Sequence, residues 1–140
     1  MHTAITRRQR WILLLAAAGI AATTAGCGSS GDGRPPGFAV KITDNASSDA
    51  VIRGCAECGG QGLRIQGTSQ AAPDTGASVG WQETRAGSHT YTATVEGVAL
   101  SCPATPKSMT TPDMPGRLSE VDYTVTRQGT CVQSNIGYAS

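Results

Sequence analysis

The chain has 140 residues, 11 Lys/Arg against 10 Asp/Glu, a formal net charge of +1 and only 4% aromatic side chains. That length holds one domain with a modest core, and near-balanced charge with no arginine stripe excludes a nucleic-acid-binding face. So few large rings leave little to bury, and covalent staples are expected to help hold a fold together.

The first element is a basic cluster, Arg7, Arg8 and Arg10, followed by "WILLLAAAGIAATTAG" without a single charge. A positive n-region, a short apolar stretch and small residues before a processing point are the three parts of a secretory signal. Its strongly apolar part is about half the ~20 residues that a spanning helix needs. It can engage an export machinery without staying as an anchor. The segment closes on Thr24, Ala25, Gly26 and Cys27, which resembles a bacterial lipobox, with Thr24 standing where a Leu or similar residue is usual. Small residues admit the backbone to a peptidase, and the thiol of the next residue becomes a thioether to diacylglycerol before its freed amine is acylated. Residues 1–26 are therefore expected to be a removed lipoprotein signal peptide. Cys27 is expected to be the lipidated N-terminus, carrying N-palmitoyl and S-diacylglycerol groups. The competing reading is an ordinary signal peptide with a chance cysteine.

Residues 27–37 continue as Gly, Ser and Pro with nothing to bury, and read as a flexible spacer that holds the domain close to a bilayer. The mature chain would carry all ten acidic residues but eight of the eleven basic ones, a net charge of about −2. From residue 38 to the end the period is two. Phe38, Val40 and Ile42 alternate with Ala39, Lys41 and Thr43, Leu63 and Ile65 flank Arg64, and Val79 and Trp81 repeat the step. In "SHTYTATVEG", His89, Tyr91, Ala93 and Val95 share one face, and Thr90, Thr92, Thr94 and Glu96 the other. "EVDYTVT" puts Val121, Tyr123 and Val125 inward against Glu120, Asp122, Thr124 and Thr126. Such alternation, rich in Thr, Val and Tyr and punctuated by Gly, signals half-buried antiparallel strands. The prediction is an all-β domain over 38–140, a small antiparallel sandwich or barrel. The segment "SCPATPKSMTTPDMPG" has four prolines, so it is expected to be a long loop tethered by Cys102. Residues 103–116 are the candidate contact surface, with Met109, Met114 and the following Leu118 supplying adaptable apolar contact; the competing reading is a disordered, tolerated insertion.

Four cysteines remain in the domain: Cys55, Cys58, Cys102 and Cys131. In an exported chain they read as two disulfides with three possible connectivities. "CAEC" also has the spacing of a thiol oxidoreductase, but glycines follow where such motifs need a helix N-terminus. A four-thiolate zinc site would need a second close pair, which Cys102 and Cys131 do not make. His89 is the only histidine beyond the leader. Its neighbour Ser88 would face the opposite side of a strand, so no Ser–His pair forms. The expectation for His89 is an inner-face position with a hydrogen bond to a carbonyl. Glu120 and Asp122 share an outer face, where general-acid work is hard to arrange. Neither metal, cofactor nor catalytic residue is predicted.

The order of lipobox, spacer and β-rich domain resembles the mycobacterial 19-kDa lipoprotein antigen family. "FAVKITDNASSDAVIRGC" is similar to that family's opening strand pair, "GLRIQG" to its short Gly-flanked strand, and "AGSHTYTATVEGVAL" to its Gly-Ser-His segment. "EVDYTVTRQGTC" resembles its last strand and near-terminal cysteine. The resemblance implies a Cys55–Cys131 disulfide, which leaves Cys58–Cys102 as the second. It also implies a non-enzymatic lipoprotein on the extracytoplasmic side of the cell membrane. Its partners would be the membrane, through covalent lipid, and a host receptor or envelope component. The alternative is an envelope carrier for a lipid or small apolar ligand.

Overall fold

The structure, a computed structural model, describes residues 35–70 and 75–140. The signal segment, Thr24 to Cys27 and most of the spacer lie outside the described residues. Eight strands follow one another: β1 Phe38–Asp44, β2 Ala50–Arg53, β3 Leu63–Ile65, β4 Ala77–Glu83, β5 Thr92–Val95, β6 Val98–Ser101, β7 Leu118–Val125 and β8 Cys131–Tyr138. They form two four-stranded sheets, in the orders β4-β1-β7-β8 and β3-β2-β5-β6. All pairings are antiparallel except β1 with β7, which run parallel from Ala39 opposite Glu120 to Asp44 opposite Val125. The predicted all-β class holds, and of the two forms expected it is the two-sheet one.

Period-two alternation builds both inner faces. Phe38, Val40 and Ile42 of β1, Val121, Tyr123 and Val125 of β7, and Trp81 of β4 come from one sheet. Ala50, Ile52, Ile65 and Ala93 come from the other, with Tyr91 just before β5. At the centre the Tyr91 ring meets Trp81 and Tyr123 edge-on, with centroids 5.1 and 6.0 Å apart. Edge-to-face contact is the favoured arrangement of ring quadrupoles, worth about 0.5–1.5 kcal/mol per pair beyond burial. The tyrosines thus supply much of the volume that a chain poor in aromatics otherwise lacks.

Several elements differ from the sequence reading. The chain does not end its sheet at Cys131, because β8 continues through an uncharged run and pairs along β7 with a bulge near Ser134. β6 forms from Val98–Ser101, joined to β5 by Glu96 and Gly97 at φ 50° and 79°. Positive φ at both central residues makes this a two-residue type I′ turn, whose twist matches the flanking strands. Glu96 is therefore a turn residue and not the end of an outer row. Leu118 opens β7 and is buried, so it cannot serve as loop contact. Gly37 sits at φ 87°, and a Cβ there would lie 1.8 Å from the Glu83 carbonyl oxygen. Only glycine allows that approach of the chain to β4.

Candidate functional site

The cysteines pair differently from the family-based expectation. Cys55 bonds Cys58, and Cys102 bonds Cys131, with Cα–Cα distances of 5.1 and 4.8 Å. Neither Cys55–Cys131 nor Cys58–Cys102 forms. Cys55 and Cys58 both follow β2, whereas Cys102 follows β6 and Cys131 meets it from the other sheet, with β5 between β2 and β6. Two strand spacings make about 10 Å, beyond the roughly 7 Å over which two Cα atoms can be bridged. Cys131 opens β8 on the edge of the other sheet, where Cys102 is the cysteine that meets it. One staple therefore clamps the two sheets at their β6 and β8 edges, and the other closes the turn after β2.

In that turn the Cys58 N–H donates to the Cys55 carbonyl at 3.2 Å and the Cys55 N–H to Cys58 Sγ at 3.3 Å. Both residues are buried among the apolar core. Turn residues and glycines follow Cys58, so no helix N-terminus is present to favour a thiolate. The arrangement suits a structural staple.

His89 precedes β5, half-buried, and its Nε2 lies 2.9 Å from the Arg85 carbonyl oxygen. The expected carbonyl contact is present, though not on a strand's inner face. Ser88 Oγ donates instead to the Thr105 carbonyl oxygen, so the two side chains do not form a dyad. Glu120 and Asp122 accept from Asn135 Nδ2, and Asp122 also meets Lys41 Nζ at 3.7 Å. These contacts lie on the outer face, as the alternation requires. Among the described residues no group of three His, Cys, Asp or Glu side chains could hold a metal ion.

Sequence reasoning missed a buried charged cluster. Glu83 closes β4 with its side chain fully enclosed. Arg85 Nε donates to Oε1 at 2.8 Å and Nη2 to Oε2 at 2.6 Å, while the Tyr91 hydroxyl donates to Oε2 at 2.9 Å. Burial pushes the carboxyl up, but the Arg85 side chain, its N–H and the Tyr91 hydroxyl together bring it down to about 2. Burial and the Glu83 carboxylate raise the Tyr91 phenol well above its ordinary range. With Glu83 saturated and already ionised, the cluster binds itself and offers no free acid or base. The signal was available: Val79, Trp81 and Glu83 share one face by period two, so the rule that places Trp81 inside places Glu83 inside too.

The proline-rich segment is two different pieces. Residues 103–108 are fixed, because Thr105 N–H donates to the His89 carbonyl at 2.8 Å and Thr105 Oγ1 accepts the His89 N–H at 2.8 Å. Ser108 and Gly87 form an isolated bridge, and the Tyr123 hydroxyl donates to the Pro103 carbonyl at 2.8 Å. Residues 109–116 instead carry the exposed Met109 and Met114. Close to the Cys102–Cys131 staple, two adjoining open clefts of about 310 and 360 Å³ run along β6, walled on the other side by the β7–β8 turn. Val98 and Leu100 line the first cleft with Arg127, while Leu100, Ser101 and Cys131 line the second. With residues 109–116 this margin carries three of the exposed large hydrophobic side chains, Val98, Met109 and Met114. Comparison with known proteins adds no relative: no family model, curated protein or solved structure matches this chain.

Proposed function

We propose that the chain is a lipid-anchored lipoprotein of the cell envelope, held at the extracytoplasmic face of the membrane through Cys27, with a non-enzymatic β-domain that works by contact. The observation that carries this reading is the position of Cys27, directly after an apolar, uncharged segment with a basic start and directly before a Gly/Ser/Pro spacer. Two disulfides in the domain support an oxidising compartment, where such bonds form and persist. The same architecture is what a member of the 19-kDa antigen family would have, with the difference in cysteine pairing noted above.

Between contact and carriage, the packing favours contact. The space between the sheets is filled by the rings of Trp81, Tyr91 and Tyr123, and the clefts along β6 are open to solvent. Two or three acyl chains at ~0.8 kcal/mol per buried CH₂ hold a protein far more firmly than one chain's reversible binding. Cys27→Ala is therefore expected to leave the protein unprocessed or to release it from the membrane fraction. A Cys27→Ala protein that stays in the membrane at its processed size would refute the anchor.

A further inference from the structure

We infer that β6 is a self-complementary edge at which two copies of this chain pair, joining their β3-β2-β5-β6 sheets into one continuous eight-stranded sheet. This deepens the contact reading of the domain by naming its partner as a second copy. It depends on that reading and not on the lipid anchor.

The hairpin fixes which backbone groups of β6 are free. In a two-residue type I′ hairpin, the pair flanking the turn, Val95 with Val98, is a hydrogen-bonded pair, and bonded and non-bonded pairs then alternate. Leu100, opposite Ala93, is bonded to β5, and so is Cys102, whose N–H donates to the Tyr91 carbonyl at 2.9 Å. Ala99 and Ser101 therefore aim their N–H and C=O groups away from β5. No backbone or side-chain partner meets them among the described residues. Two free donor–acceptor sets at two-residue spacing match a second copy run antiparallel through Leu100. Ala99 then faces Ser101 of the partner, Ser101 faces the partner's Ala99, and four backbone hydrogen bonds form.

The side chains fit the same register. Val98 and Leu100 pair with the inward residues Val95 and Ala93, so they point toward the layer of the other sheet, which covers Leu100 in part and leaves Val98 open. Val98 is 60% exposed, and Leu100 is only partly buried. Residues opposite one another across an antiparallel pair lie on the same face, so pairing sets Leu100 against the partner's Leu100 over the open cleft. Sheet edges are normally guarded by charge, proline, bulges or shortness. β3 has three residues with Arg64 at its centre, ion-paired to Asp49, β4 has Gly80 at its centre, which weakens a strand, and β8 carries its bulge. Val98–Ser101 holds neither charge nor proline, and Pro103 ends the free run just beyond it.

The test uses the full-length protein in membranes with Leu100→Cys. In the proposed register the two Leu100 positions form a non-hydrogen-bonded pair about 4.5 Å apart at Cα, within disulfide reach. Mild oxidation is expected to give a covalent dimer from Leu100→Cys at several times the yield from Ala86→Cys, an exposed control away from β6. Adding Ala99→Pro removes an outward N–H without touching the β5 ladder, and is expected to abolish the cross-link while leaving the melting temperature in place. Equal yields from the two cysteine variants, or cross-linking that survives Ala99→Pro, would overturn the pairing. Sedimentation of the wild-type protein in density-matched detergent needs no substitution, and a monomer at every concentration would overturn it as well. Such a monomer leaves the anchor reading intact, whereas a failed Cys27→Ala release leaves the dimer measurement intact.

Discussion

Glu83 shows how one charged residue can be buried without becoming reactive. Its carboxylate has three side-chain donors within 2.9 Å, and its ionised form is held down to about 2 against burial. An ordinary glutamate titrates near 4.3, so the folded value lies below the unfolded one. The stabilisation is then fully present above the unfolded value and is lost as pH falls through about 2. Breaking a buried pair by removing one partner's charge costs about 3–5 kcal/mol, and Arg85 is partly solvated, so Glu83→Gln is expected at or below the lower end. Denaturant melts at neutral pH should show the loss, and the gap between wild type and variant should narrow below pH 4. A constant gap down to pH 2 would contradict the assignment. Asp44 acts in the opposite sense. Burial raises its carboxyl, although Oδ1 accepts the Ala46 N–H at 2.8 Å, so acidification relieves rather than weakens that site.

At the scale of elements, the two staples differ in what they hold. Cys102–Cys131 spans 29 residues and joins two sheets, whereas Cys55–Cys58 spans three residues within one turn. In the chain-entropy model these loops limit the unfolded chain by about 3.5 and about 2 kcal/mol. Calorimetry of the two double Cys→Ala variants should therefore show the larger fall in melting temperature for Cys102/Cys131, and the reverse order would contradict the structural assignment. Residues 103–108 should prove equally structural: Thr105→Ala removes a buried hydrogen-bond acceptor, at about 1–3 kcal/mol. Shortening 109–116 to a Gly/Ser linker should leave the melting temperature nearly unchanged. Alternation alone made β1, β4, β5 and β7 legible, because each buries one side-chain row. β6 and β8 were not legible, since their side chains are mostly exposed and no inward row marks them. Cysteine pairing was illegible for a different reason. It depends on strand order across the sheets, which local periodicity does not carry.

Over the whole molecule, two half-buried sheets close on a core rich in tyrosine, with one inter-sheet disulfide and an open margin beside it. Tyr123→Ala is expected to cost about 2–4 kcal/mol through lost burial and the cavity left behind, while Thr94→Ser on the outer face should stay within about ±0.5 kcal/mol. Urea melts of the two variants would check that contrast. Such a domain persists without a large apolar core, and its proposed placement at a membrane rests on Cys27. The most direct test is the mass of the N-terminal peptide of the wild-type protein extracted from membranes. The account predicts a peptide that begins at Cys27 and carries diacylglycerol on sulfur and an acyl chain on nitrogen. A peptide that begins elsewhere, or an unmodified Cys27, would contradict it.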